Sequence, residues 1–83
     1  MGRSVNLWKL SESESDVTYL YGARKEQAGS LVINKVTGTV SSRNPVPGMT
    51  DQESWFLYGM LAKARAEKML LKKEYPDEDS LSV

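Results

Sequence analysis

The order of apolar and polar positions divides the chain into a strand-like first half and a helical second half. Val17, Tyr19 and Tyr21 alternate with Thr18 and Leu20, and Val, Thr and Tyr favour strands. Short runs rich in strand formers also precede and follow this segment. The pattern predicts four strands, over residues 4–10, 17–23, 30–36 and 39–42.

Two local features refine these strands. Within residues 4–10, Val5 and Leu7 share one parity, whereas Trp8 and Leu10 take the other, which predicts a bulge or a strand buried on both faces. Gly38 lies in the connection between the last two strands. A glycine there is typical of a hairpin closed by one residue in the left-handed region, where side chains are disfavoured.

A helix is predicted over residues 51–75. Thr50 and Glu53 match a capping box, and Pro76 marks the end. The fold class is therefore α+β: an antiparallel meander of three to four strands followed by one long C-terminal helix packed on the sheet. Residues 1–75 form one domain in this interpretation, and residues 76–83 form an acidic flexible tail.

The predicted helix carries apolar residues on two faces, although a helix on one sheet needs only one. We expect the first face to cover the sheet; it contains Phe56, Leu57, Met60, Leu61, Ala64, Leu71 and Tyr75. We expect the second face to be an interface; it contains Trp55, Tyr58, Gly59, Ala62, Ala66, Met69 and Leu70.

Three interpretations of the second face remain open at this point. It forms a homodimer with its symmetry mate, it packs inside the monomer, or it binds a different protein. Closed two-fold dimers are the commonest oligomers, which favours the homodimer. The small residues at the centre of the face allow another backbone to approach closely, although alanine is also a good helix former.

Composition restricts the chemistry of this 83-residue chain. It contains neither cysteine nor histidine, which excludes disulfides, thiolate nucleophiles and the commonest general base. Asp51 and Glu53 are close in sequence but lie where a helix start attracts acids. We interpret the acidic segment of residues 11–16 as a solvated hairpin loop. A phosphorylation site is the alternative interpretation. We predict no enzyme, no catalytic or metal-binding residue and no cofactor.

Two patterns suggest nucleic acid as an alternative partner. The predicted helix has a local excess of basic residues, although the formal net charge of the chain is zero. Trp8, Tyr19 and Tyr21 have the composition of a stacking platform, but tyrosines at strand period favour a core position. The candidate phosphate contacts are Lys63, Arg65, Lys68, Lys72 and Lys73.

These observations predict a small non-enzymatic interaction or regulatory protein that forms a homodimer through its helix, with a larger protein as a further partner. Strands followed by one capping helix resemble, in general style, small bacterial and phage inhibitors and immunity proteins. No apolar window is long enough for a membrane span, so we expect a cytoplasmic protein. Nucleic acid is the less favoured partner.

Overall fold

The computed structural model describes residues 4–82, and the predictions for residues 1–3 and 83 lie outside the described residues. Within residues 4–82 the fold consists of five strands, one short 3-10 turn and one continuous helical region. In chain order these are β1 (Ser4–Glu12), β2 (Asp16–Gly22), a short 3-10 turn (Lys25–Gln27), β3 (Gly29–Asn34), β4 (Thr39–Asn44), α1 (Asp51–Ser54), a π-helical segment (Trp55–Gly59), α2 (Met60–Lys72) and β5 (Glu78–Ser82).

The strands form one antiparallel sheet in the order β4-β3-β2-β1-β5. The predicted α+β class and the meander of β1 to β4 are confirmed, with strand bounds that differ from the predicted ones by up to two residues. The bulge is present as well, because the register of β1 against β2 shifts between Lys9 and Ser11. Gly38 has a φ of 73°, and its amide donates to the Asn34 carbonyl at 2.9 Å, as a left-handed hairpin position requires.

The prediction of a flexible tail over residues 76–83 is wrong for its described part. Residues 78–82 form β5, which pairs with β1 and places Leu81 opposite Val5. The segment before it is anchored too, since the Tyr19 hydroxyl donates to the Pro76 carbonyl at 2.6 Å and the Lys9 amide donates to the Asp77 carbonyl at 2.8 Å. These bonds hold the chain beside β1.

The helix begins as predicted and ends earlier. The Thr50 hydroxyl accepts from the Glu53 amide at 3.1 Å, and the Glu53 carboxylate accepts from the Thr50 amide at 3.1 Å, which completes the capping box. The helix ends at Lys72 instead of residue 75, because Lys73 takes the left-handed conformation with a φ of 57°. This reversal directs the chain back to the sheet, where it becomes β5.

The core lies between one face of the sheet and the helix. Tyr19 and Tyr21 are fully buried there, which confirms the core position favoured for them. Trp8 lies on the opposite sheet face, cross-strand from Leu20, so the three aromatic residues do not form one stacking platform. The buried apolar residues are Val5, Leu7, Val17, Tyr19, Tyr21, Leu31, Ile33, Val46, Ala62, Ala66 and Met69.

Candidate interaction surface

The face predicted as an interface is the inner face of the helix. Gly59, Ala62, Ala66 and Met69 are buried, and Trp55, Tyr58 and Leu70 are partly buried; all except Gly59 belong to or pack against the core. This corrects the interface prediction for Gly59, Ala62, Ala66 and Met69, which are covered within one copy of the chain. Trp55, Tyr58 and Leu70 pack against the core and keep part of their surface exposed.

Small residues lie on the inner face because large ones fill the space from the sheet side. Tyr19 and Tyr21 project from β2 into the core, and both are fully buried. Ala62 and Ala66 belong to the same buried cluster as these tyrosines, and their small side chains suit a close-packed interior in which the sheet supplies large ones. The small size of the residues on this helix face thus matches the large side chains that the sheet contributes to the core.

A buried polar contact fixes the start of the helix on the sheet. The Ser54 hydroxyl lies 2.9 Å from the Tyr21 hydroxyl and accepts from the Val46 amide at 2.8 Å. Trp55 follows directly and makes an edge-to-face contact with Tyr21, with ring centroids 6.4 Å apart. Ser54 carries no signal in the sequence pattern, because a serine in the first helical turns is ordinarily solvent-exposed.

The π-helical segment brings Trp55 over the backbone of Gly59. A Cβ built at Gly59 would collide with the Trp55 indole, so the ring occupies the space that any side chain at this position needs. One extra residue per turn also rotates α1 relative to α2. Ser54 and Ala62 consequently both face the sheet, although a regular helix of about 100° per residue separates them by about 80°.

The face expected to cover the sheet is in large part the exposed outer face, and that expectation is wrong for four of its seven residues. Phe56 is 70% exposed, Met60 55% and Leu71 85%, and Ala64 is exposed between them. We call these four residues the outer stripe. Leu61 and Tyr75 do pack against the core, and Leu57 is half-buried.

The outer stripe is unusual among the exposed apolar side chains. Of the large apolar residues exposed in residues 4–82, only Leu10 and Val36 lie outside the helix. Leu10 lies at the bulge in β1 and Val36 lies in the β3–β4 hairpin loop. Scattered exposed apolar residues are normal, whereas larger contiguous exposed apolar patches are typical of contact surfaces.

Charged residues border the outer stripe on both sides. At about 100° per residue, Lys63 and Glu67 lie along one side of the stripe, and Lys68 lies along the other. Lys72 lies farther around the helix on the side of Lys68. Glu53 comes before the π-helical segment and lies on that same side once the extra residue is counted.

The five basic residues predicted for nucleic acid do not form one basic surface. The Arg65 guanidinium donates to the Asp79 carboxylate of β5 at 2.6 Å, which raises the pKa of Arg65. Burial alone would raise the pKa of Asp79, but Arg65 and the Ser80 amide lower it below its ordinary value. Lys63 lies on the opposite side of the helix from Arg65, while Lys68, Lys72 and Lys73 are exposed.

The acidic residues at the helix start and at the end of β1 make contacts within the fold. Glu53 completes the capping box, and Asp51 lies in the first helical turn. Glu12 accepts from Lys9 at 2.8 Å and from Lys35 at 2.7 Å, and these bonds lower the pKa of its carboxyl to about 2. Burial of Tyr19 raises the pKa of its phenol, with the nearby carboxylate of Glu12 adding to the effect.

Comparisons with known proteins identify no relative. No family model, no curated protein and no solved structure matches the chain. Within residues 4–82, no helix combines the length and the apolar character that crossing a membrane requires. Function is therefore inferred from the geometry of the surface.

Proposed function

We propose that the chain is a small non-enzymatic interaction protein that self-associates through the outer face of its C-terminal helix. One observation carries the proposal: Phe56, Met60 and Leu71 are exposed in a single row on a helix whose opposite face is buried in the core. Burial of this row against another apolar surface is favourable at about 25 cal/mol per Å². When the helix pairs with the same helix of a second copy, the exposed apolar rows of both copies are buried together.

The proposal includes a role as a regulator or inhibitor that acts by binding, and a location in the cytoplasm. A dimer with its helices at the centre leaves both open sheet faces available, which suits a protein that regulates or inhibits a larger partner by binding. We place it in the cytoplasm, where a chain without cysteine needs no oxidising environment. One pair of helices buries less surface than the roughly 1,200 Å² of a standard interface, so we expect a weak, concentration-dependent dimer.

Sedimentation velocity over a concentration series tests the proposal. Wild-type protein should shift from the monomer mass of 9.3 kDa toward twice that value as its concentration rises to about 1 mM. Met60→Lys places a charge in the stripe and should hold the protein at the monomer mass. Val36→Lys is the matched control, because it changes another exposed apolar residue, at the hairpin, and it should behave as wild type.

The controls separate association from folding. Circular dichroism spectra of both variants should match that of the wild type, since neither residue lies in the core. Wild-type protein that remains monomeric throughout the series contradicts the proposal. A Met60→Lys variant that dimerises, or a Val36→Lys variant that fails to, places any association on another surface and contradicts it equally.

Nucleic-acid binding by Lys63, Arg65, Lys68, Lys72 and Lys73 is the second candidate and has less support, because Arg65 is already paired with Asp79. It requires binding to a mixed-sequence oligonucleotide that weakens steeply with salt. Fluorescence anisotropy at low and high salt measures this directly. Salt-sensitive binding that Lys68→Gln weakens would favour this candidate, whereas its absence removes it.

A further inference from the structure

We propose that the free edge of β4 and the cleft beside it bind an extended segment of another protein, one that carries an acidic residue close to a large apolar residue. The inference rests on the binding role proposed above and adds its surface and the class of partner. This surface shares no residue with the outer stripe, so it does not depend on the dimer. We call the cleft the edge cleft; it is lined by Ser42, Arg43, Asp51, Gln52 and Trp55.

β4 is an open edge of the sheet. It is the outermost strand on its side and pairs with β3 alone. All of its residues except Val40 are exposed, and within residues 4–82 no other segment makes a backbone hydrogen bond to it. Its outward N–H and C=O groups repeat at the spacing of a strand. One class of ligand matches such a row, namely another extended backbone.

The two edges of the sheet differ in their protection. β5, at the opposite edge, begins with Glu78 and Asp79, and charged side chains on an edge strand discourage further pairing. Residues 39–42 of β4 contain neither a charged residue nor a proline. β4 is therefore the edge that better accepts an added strand.

A bulge gives the edge cleft its positive charge. The register of β3 against β4 shifts between Ser30 and Leu31, which leaves Arg43 as the extra residue. Neighbouring residues of a regular strand point to opposite faces, so the bulge accounts for Ser42 and Arg43 lining the same cleft. Arg43 makes no ion pair within residues 4–82, whereas the charge of Asp51 is stabilised by its place in the first helical turn. The edge cleft therefore favours an acidic side chain on the partner.

The partner also brings an apolar side chain. Ser42 pairs with the buried Leu31 and so points to the helix side, and a residue added opposite Ser42 points the same way, toward the ring of Trp55. The β4 strand of a second copy has no side chain for this position. Its helix-side residues are Val40, which packs against its own core, and Ser42, which is small. An extended segment of another protein has no such restriction.

A phage-displayed library of random peptides, panned on the immobilised wild-type protein, tests the inference. The enriched peptides should share an acidic residue within two positions of a large apolar one. Ser42→Phe fills the edge cleft and should weaken their binding by about tenfold or more in fluorescence anisotropy. Ser41→Phe is the matched control, because Ser41 is equally part of β4 but points to the opposite face. Arg43→Glu should also weaken binding by about tenfold, and Arg24→Glu, on the exposed turn before β3, should not.

Hydrogen exchange measured by NMR reports the backbone pairing, since a bound strand should slow the exchange of amides in β4. Circular dichroism confirms that each variant is folded. Panning that enriches no peptide, peptides that bind Ser42→Phe and Ser41→Phe equally, or binding without protection of β4 would each overturn the inference.

Further outcomes separate this surface from the outer stripe. Met60→Lys should bind the peptides as the wild type does, so a protein that stays monomeric in sedimentation leaves this inference standing. Failure of the peptides to bind likewise leaves the dimer standing. Self-association that Met60→Lys retains and Ser42→Phe abolishes would identify a second copy as the occupant of the β4 edge and overturn the inference.

Discussion

Ser54 is the residue that joins the three parts of the core. Its hydroxyl is completely buried and contacts both the phenol of Tyr21 on β2 and the amide of Val46 in the connector. No buried side-chain polar atom in residues 4–82 lacks a hydrogen-bond partner. The serine is therefore a structural link between sheet, connector and helix.

Ser54→Ala should lower the free energy of unfolding by about 1–3 kcal/mol, because it leaves the Val46 amide and the Tyr21 hydroxyl without their buried partner. Urea denaturation followed by circular dichroism measures the loss. Ser41→Ala on the exposed edge strand is the control and should change stability by less than about 0.5 kcal/mol. Equal effects of the two substitutions would refute the link.

Sequence patterns locate Tyr19 and Tyr21 in the core but not Ser54. The tyrosines alternate at strand period, and that period places them on one face of the sheet. Ser54 has no such signal, since its burial depends on the π-helical segment that follows it and on the position of Val46. Contacts between distant segments cannot be derived from local periodicity.

At the scale of the element, the helix shows why the apolar residues alone do not identify its buried face. Both faces of the helix carry large and small apolar residues, so the wheel pattern alone does not show which face meets the core. The two tyrosines of β2 lie in the same buried cluster as Ala62 and Ala66, and this arrangement cannot be derived from the helix itself. A helical wheel drawn at a constant angle per residue also cannot represent the extra residue in the π-helical segment.

Gly59→Ala tests the π-helical segment. Alanine favours a helix by about 1 kcal/mol over glycine, but here its methyl group meets the Trp55 indole, so we expect a net loss of about 1–3 kcal/mol. In a Trp55→Ala background the collision is absent, and the same substitution should be neutral or stabilising. Urea midpoints of the four proteins measure both effects. A loss in both backgrounds would show that the indole is not the cause.

β5 is the element that sequence analysis misses. Its residues are mostly acidic or serine, and only Leu81 follows the apolar alternation of a strand. Its position depends instead on partners elsewhere: β1 supplies the backbone bonds, and Arg65 pairs with Asp79. An acidic segment that looks solvated in isolation is thus held by backbone pairing with β1 and by one ion pair to the helix.

At the scale of the whole molecule, an ion cluster joins one end of the sheet to the segment after the helix. Lys9 pairs with Glu12 and lies 3.4 Å from Asp77. Lys35 pairs with Glu12 and lies 4.8 Å from the centre of the Tyr75 ring. Ion pairs thus connect the β1–β2 hairpin with the β3–β4 hairpin and with the segment that follows α2.

This cluster predicts a loss of stability in acid. The pKa of Glu12 is lowered from 4.5 to about 2, so its contribution is complete above about pH 4.5 and disappears as the pH falls toward 2. Glu12→Gln should therefore flatten the fall of the urea midpoint between about pH 6 and pH 3. Glu14→Gln, in the loop that follows β1, is the control. Identical pH profiles for wild type and Glu12→Gln would exclude this role.

The pairing of β5 with β1 also sets an order of events in folding. The hairpins of β1 to β4 close short loops, whereas β5 must meet β1 across nearly the whole described chain, which makes its closure slow. If local opening releases β5, the edge of β1 offers unpaired backbone groups, and β5 of a second molecule fits them in the same register. We therefore expect strand exchange through β5 as a route to domain swapping on heating.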